Sequence, residues 1–193
     1  MFFAPLRFLQ ERMPERIEEA ISRFLCARDT DLEKFLQERA MDFERIAKSR
    51  TYFLLDQESL EKKRLEILAY FSLAPQVLFL PEDLSGNQRK KLDGFSGTIN
   101  KIPVSALPVI LIGQLAKNDR YCDDITGDTV IAYIFSMIEI IHNYMGGRIV
   151  TVDVRKEARG LVPFYEKHGF KALKENSDAR FLQMIHLLCP QKL

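Results

Sequence analysis

Asp153-Val154-Arg155-Lys156-Glu157-Ala158-Arg159-Gly160-Leu161-Val162-Pro163-Phe164-Tyr165-Glu166-Lys167-His168-Gly169-Phe170 reads as a strand end, a loop, one short helix and a glycine stop. Gly169 falls where the chain must turn left-handed after the last helical turn, and Phe170 is expected to start a strand. An aromatic pair followed by charges is also how an amphipathic helix packs and ends. Taken alone, the segment leaves core packing and a functional role for Tyr165 both open.

Upstream, Val109 to Ala116 is a continuous apolar run suited to a central strand, and Gly113 inside it hints at a bulge or a close backbone approach. Val130 to Met145 reads as a helix that stops at Gly146-Gly147. Arg148 to Val154 is the next strand. Strand, helix, strand in this order is a crossover unit, so the two strands are expected to be parallel. Thr129, Ser136, Glu139 and Asn143 share one helical face. The apolar run is too short and interrupted to span a bilayer, and a deeply buried helix is expected.

Toward the N-terminus, Met1 to Arg7 lacks a basic leader followed by a long apolar core and reads as a first strand, not a signal peptide. Pro14 starts a helix expected to end near Cys26. Thr30-Asp31-Leu32-Glu33 has capping-box spacing. It opens a second helix to about Lys48, with Leu32, Phe35, Leu36, Phe43 and Ile46 as its apolar stripe. Thr51 to Leu55 and Leu65 to Leu73 read as antiparallel strands. Residues 81–103, rich in Gly, Asp, Asn and Lys, are expected to form a long loop, and Phe181 to Leu188 a final strand. The fold class is α/β with a mixed sheet.

With 193 residues, 47% of them hydrophobic, and a net charge of +1, the chain is expected to form one domain over residues 1–193. Near-neutrality argues against a strongly basic nucleic-acid binder. Cys26, Cys122 and Cys189 are odd in number, lack C-x-x-C spacing and have three histidines to help them. They suggest neither a disulfide framework nor a metal site, and fit a reduced cytoplasm.

Several ordered pieces resemble the GNAT acetyltransferases, in particular a bacterial subgroup that includes toxin-like enzymes. Phe164 to Phe170 resembles the acyl-CoA-side helix. Phe24-Leu25-Cys26 with Asp31 to Leu36 resembles the subgroup's opening signature. Thr51-Tyr52 and Tyr70 to Leu73 are similar to its second and third strands, and Gly113 to Ala116 with Asp119 to Tyr121 to its fourth strand and exit. The resemblance spans roughly residues 22 to 188. It implies a mixed, mostly antiparallel sheet flanked by helices, whose central parallel strands splay to admit acetyl-CoA.

The resemblance further implies that backbone groups of Leu115 and Lys117 pair with pantetheine, that the Leu115 N–H polarises the acetyl carbonyl, and that Tyr165 protonates the departing thiolate. Pyrophosphate would sit where a helix begins near Thr126 or Gly127, because unpaired N–H groups and the helix dipole make an anion site. The family loop reads R/Q-x-x-G-x-G/A. Here it is Cys122-Asp123-Asp124-Ile125-Thr126-Gly127, so only Gly127 matches. Ile125 replaces a glycine, and Asp123, Asp124 and Asp128 add negative charge.

Two readings stay open. The aspartates point to water while main-chain N–H groups of Asp124 to Gly127 hold phosphate, or the chain is a GNAT-fold relative that no longer binds acetyl-CoA and serves as a binding or structural partner. For an active enzyme, a small amine or peptide acceptor ranks above the amino acid of a charged tRNA, the acceptor of some toxin relatives. Homodimer formation is left open and no membrane role is expected. Glu66, Asp119 and Asp153 are candidate general bases by position alone. His142, His168, His186 and Cys122 read as structural, and Arg89-Lys90-Lys91 as a solvated run that could guide RNA.

Overall fold

A computed structural model describes residues 1–62, 64–158, 160–173 and 180–188; Arg159 and Cys189 lie outside them. In chain order its elements are β1 (Phe2–Pro5), α1 (Leu6–Arg12), α2 (Pro14–Ser22), α3 (Thr30–Lys34), a π-helical turn (Phe35–Arg39), α4 (Ala40–Arg45), β2 (Arg50–Leu55) and α5 (Gln57–Glu61). Then come β3 (Ile67–Phe79), α6 (Gly86–Asp93), β4 (Thr98–Ile99), β5 (Ile102–Pro103) and β6 (Ala106–Lys117). The chain closes with α7 (Gly127–Met145), β7 (Ile149–Arg155), α8 (Leu161–Lys167), β8 (Lys171–Ala172) and β9 (Phe181–Leu187).

The larger sheet has the strand order β1-β2-β3-β6-β7-β9-β8. Its pairings β1/β2, β2/β3, β7/β9 and β8/β9 are antiparallel. As the crossover predicts, β6 and β7 are parallel, with a register confined to Ile110↔Val150 and Leu111↔Thr151. The chain divides into two compact units, residues 1–74 with 113–137, and residues 75–112 with 138–193.

In the first unit, Tyr52 and Phe71 are register partners whose rings stack at 5.2 Å. Phe3 stacks on both and on Tyr133 of α7, so one aromatic ladder ties the N-terminal half of α7 to the sheet. Behind it Phe24 meets Tyr70 edge-on at 5.3 Å. Full burial of rings such as Phe24, Phe53 and Phe71 contributes about 2–3 kcal/mol each. The Tyr70 hydroxyl, which lies under this packing, donates to Leu32 O at 2.6 Å.

The helical region departs from the expected boundaries. α2 ends at Ser22, and α3 is capped by Asp29, whose carboxylate accepts from Asp31 N. Glu33 turns back to Cys26 N at 2.8 Å instead of closing a box with Thr30. The π turn inserts one residue, and the buried face passes from Phe35 and Leu36 to Ala40 and Glu44. Ile46 lies past the helix end and is 61% exposed.

In the second unit, residues 81–103 are ordered rather than a long loop. A Ser85–Gln88 capping box opens α6 and left-handed Gly94 ends it. A two-residue turn with positive φ at Asn100 and Lys101 joins β4 to β5. The helix escapes periodicity because one of its two buried residues is Arg89. That guanidinium donates to the carbonyls of Pro81, Glu82, Leu84 and Val104, so the first residue of the expected solvated run is an internal staple. β3 also continues past Leu73 to Phe79.

Nor is α7 deeply buried along its length. Val130, Ile131, Ile134 and Ile138 form its one buried face, while Tyr144 is 90% exposed. Among the described residues no helix is long and apolar enough to cross a membrane.

Candidate functional site

In the first unit, β6 alternates: Ala116 packs into the core while Leu115 and Lys117 stay half-buried. The strand ends at Lys117, and the next residue, Asn118, is a buried polar hub. Its Nδ2 donates to Ile67 O at 2.8 Å, and its Oδ1 accepts from Arg120 N and Leu25 N. Asp119 follows with its carboxylate on Ala27 N at 2.6 Å. Two consecutive short polar side chains thus bind the strand exit to residues 25–27, which uses the Asp119 carboxylate structurally.

One turn later the Tyr121 hydroxyl donates to Glu66 Oε2 at 2.6 Å. Burial, and then the adjacent carboxylate, push the Tyr121 phenol up to about 12. Arg23 lies 3.9 Å from the other Glu66 oxygen. Glu66 is therefore held by a donor and faced by a cation, and its position reflects that pairing. Asp153 in the second unit accepts from Gln183 Nε2 at 3.3 Å.

The 122–128 loop is closed from inside. Lys117 Nζ donates to Cys122 O at 3.0 Å and to Ile125 O at 2.8 Å. The Ile125 side chain is 2% exposed, so the residue standing where the family has glycine directs its bulk into the core. Asp123, Asp124 and Asp128 are exposed. Thr126 caps α7: its Oγ1 accepts from Thr129 N at 3.1 Å and its carbonyl from Val130 N at 3.2 Å. Gly127 is then the first residue of a 19-residue helix, whose N-terminus carries partial positive charge.

The second unit holds Tyr165 in α8. Gly169, at φ +81, stops the helix: Gly169 N donates to Glu166 O and Phe170 N to Tyr165 O, the paired bonds of a Schellman motif. The next strand starts one residue later than expected, at Lys171. The Tyr165 ring, 6% exposed, meets Phe164 and Phe170 edge-on at 5.2 and 5.3 Å. Burial pushes its phenol up to about 12.

His142 Nδ1 lies 2.6 Å from Gly147 O at the end of α7, and the His168 and His186 rings pack on Phe164 and Phe170. Cys26 is buried and Cys122 half-buried, both as free thiols. The sequence reading missed Asn118, the Tyr121–Glu66 bond and the Lys117 side chain. A lysine ending a strand just before a short polar loop was the available signal for the last of these.

No family model matches the sequence, nor does any curated protein. Solved structures resemble the fold. AtaTR bound with acetyl-CoA has a TM-score of 0.66 at 18% identity, covering 94% of this chain and 91% of that one. A bacterial toxin gives 0.65 at 18% identity over 87% and 83%. AtaT complexed with acetyl-methionyl-tRNAfMet gives 0.62 at 20% identity over 84% and 85%. With its parallel β6/β7 crossover and the α8 element that follows, the chain has the GNAT fold, which it shares with these solved structures.

Proposed function

We propose that this chain is an acetyl-CoA-dependent N-acetyltransferase acting on a primary amine by direct attack. The observation that carries the reading is the 122–128 loop, in which the Ile125 side chain is buried and the three aspartates are exposed. Main chain is then what faces an anion, at the positive end of a long helix. Exposed carboxylates are screened by water and salt and oppose the ligand less than buried ones would.

Pantetheine in this reading runs along Gly113 to Lys117, with backbone groups of Leu115 and Lys117 pairing to its amides. Pyrophosphate lies at Asp123 to Asp128, without the Asp124 N–H, which donates to Tyr121 O at 3.1 Å. The amine lone pair attacks the acetyl carbon, the Leu115 N–H stabilises the oxygen as it gains charge, the C–N bond forms and the C–S bond breaks. Tyr165 keeps its proton at neutral pH. A thiol titrates near about 8.5, so complete transfer from a phenol held near 12 is uphill. The hydroxyl therefore serves the leaving sulfur chiefly as a hydrogen-bond donor, and the excess proton of the attacking amine passes to solvent.

A small amine or peptide is the favoured acceptor, because the chain is nearly neutral and Arg89 is withdrawn into a structural role. The tRNA complex of AtaT supports testing aminoacylated tRNA beside them. Thiol release from acetyl-CoA, measured with a panel of primary amines, peptides and charged tRNA, tests the reading. Release that depends on one acceptor class supports it. Acetyl-CoA binding without release on any acceptor would favour a binding protein.

A further inference from the structure

Lys117 contributes its side chain, and not only its backbone, to the loop. The ammonium sits under the loop and takes two carbonyls, of Cys122 and Ile125, at 3.0 and 2.8 Å. In a trans peptide unit the C=O and N–H point in opposite directions. The Cys122 carbonyl shares its unit with the Asp123 N–H, and the Ile125 carbonyl shares its unit with the Thr126 N–H. Drawing both carbonyls to the ammonium therefore turns both N–H groups away from it. N–H groups turned away from the ammonium are donors that an anion can use. Where a glycine-rich loop reaches such a conformation through backbone freedom, this loop, with Ile125 in place of glycine, is held by a charge.

The same cation also offsets the carboxylates of the segment. Asp123, Asp124 and Asp128 all lie within it, and the ammonium is the positive side chain hydrogen-bonded to its main chain. Two further polar groups of the loop are already committed. Asp124 N donates to Tyr121 O at 3.1 Å, and the Thr126 hydroxyl serves Thr129.

We infer that Lys117 is a positioning residue for anion binding: its side chain holds the Cys122 and Ile125 carbonyls inward and leaves the opposed N–H groups of Asp123 and Thr126 for the phosphates of the thioester cosubstrate. The inference rests on the acetyl-CoA reading for its ligand but not for the clasp itself, and the test separates the two. Amide hydrogen exchange is measured on the ligand-free full chain, wild type and Lys117→Met, together with calorimetric binding of CoA and of pantetheine, which lacks the pyrophosphate.

Loss of the clasp is expected to speed exchange at the Asp124, Thr129 and Val130 amides by about tenfold, with the amides of β2 and β3 unchanged. CoA affinity is expected to fall about tenfold or more, as for lost charge-assisted bonds, and pantetheine affinity by less than about twofold. Unchanged exchange around the loop would overturn the clasp. Equal losses for CoA and pantetheine would overturn the link to phosphate, since a general structural defect weakens both. A wild-type chain that binds no CoA would overturn the parent reading and the assigned ligand together, while the exchange result still decides whether Lys117 sets the loop.

Discussion

The Tyr121 hydroxyl and the Glu66 carboxylate meet at 2.6 Å, joining the turn after β6 to the residue just ahead of β3. This bond commits one of the candidate bases to architecture. Tyr121→Phe is expected to lower stability by about 1.5–3 kcal/mol, the scale of a hydrogen bond to a charged group, as read by denaturant unfolding. The pH profile of turnover should keep its shape. A shifted acidic limb with unchanged stability would instead make Glu66 the base.

Tyr165→Phe removes one hydroxyl and keeps the ring packed on Phe164 and Phe170. Turnover is expected to fall about 10- to 100-fold, the scale of one hydrogen bond to a developing charge, with the Kd of acetyl-CoA unchanged. Because burial holds this phenol near 12, its ionisation should impose no alkaline decline on the rate below about pH 10. Equal turnover in the variant would leave Tyr165 a packing residue.

Gly169 is fixed by geometry twice over. Its φ of +81 disfavours any side chain, and a β-carbon there would stand 3.1 Å from the His186 ring. Gly169→Ala is expected to cost about 1–3 kcal/mol in thermal or chemical unfolding.

The same His186 gives a pH signature. Burial pushes its imidazole below the usual range, so the unfolded chain takes up the proton first on acidification. Its contribution is whole above the unfolded value, about 6.5, and is lost as pH falls from there through the lower folded value. His186→Phe should flatten the part of the stability profile lying below about pH 6.5; an unchanged profile would assign that acid sensitivity to other groups.

The sequence disclosed those parts of the fold whose chemistry repeats or punctuates. The parallel pair followed from the apolar runs around Ile110 and Val150, and the helix stop from Gly169. Pro14 marked the start of α2 because its missing N–H costs nothing in a first turn. What stayed hidden depends on side chains that reach beyond their local pattern. Arg89 looks like a surface charge in any periodicity reading, yet it takes the inward position of α6 and gathers four carbonyls. Ile125 reads only as a replaced glycine in the sequence, and its burial shows which way it turns. The boundary at Ile46 was missed because a π turn shifts the apolar face of that helical region, a change that no fixed period carries.

The measurement that tests the central claim most directly is calorimetric titration of the full chain with acetyl-CoA. A loop lacking one family glycine and carrying added aspartates should bind, but weakly, with a Kd of about tens of micromolar or somewhat poorer, and with a rise in Tm at saturating ligand. No heat and no thermal shift at about millimolar acetyl-CoA, a free-energy scale of only some −4 kcal/mol, would contradict the account and leave the chain a GNAT-fold protein with another task.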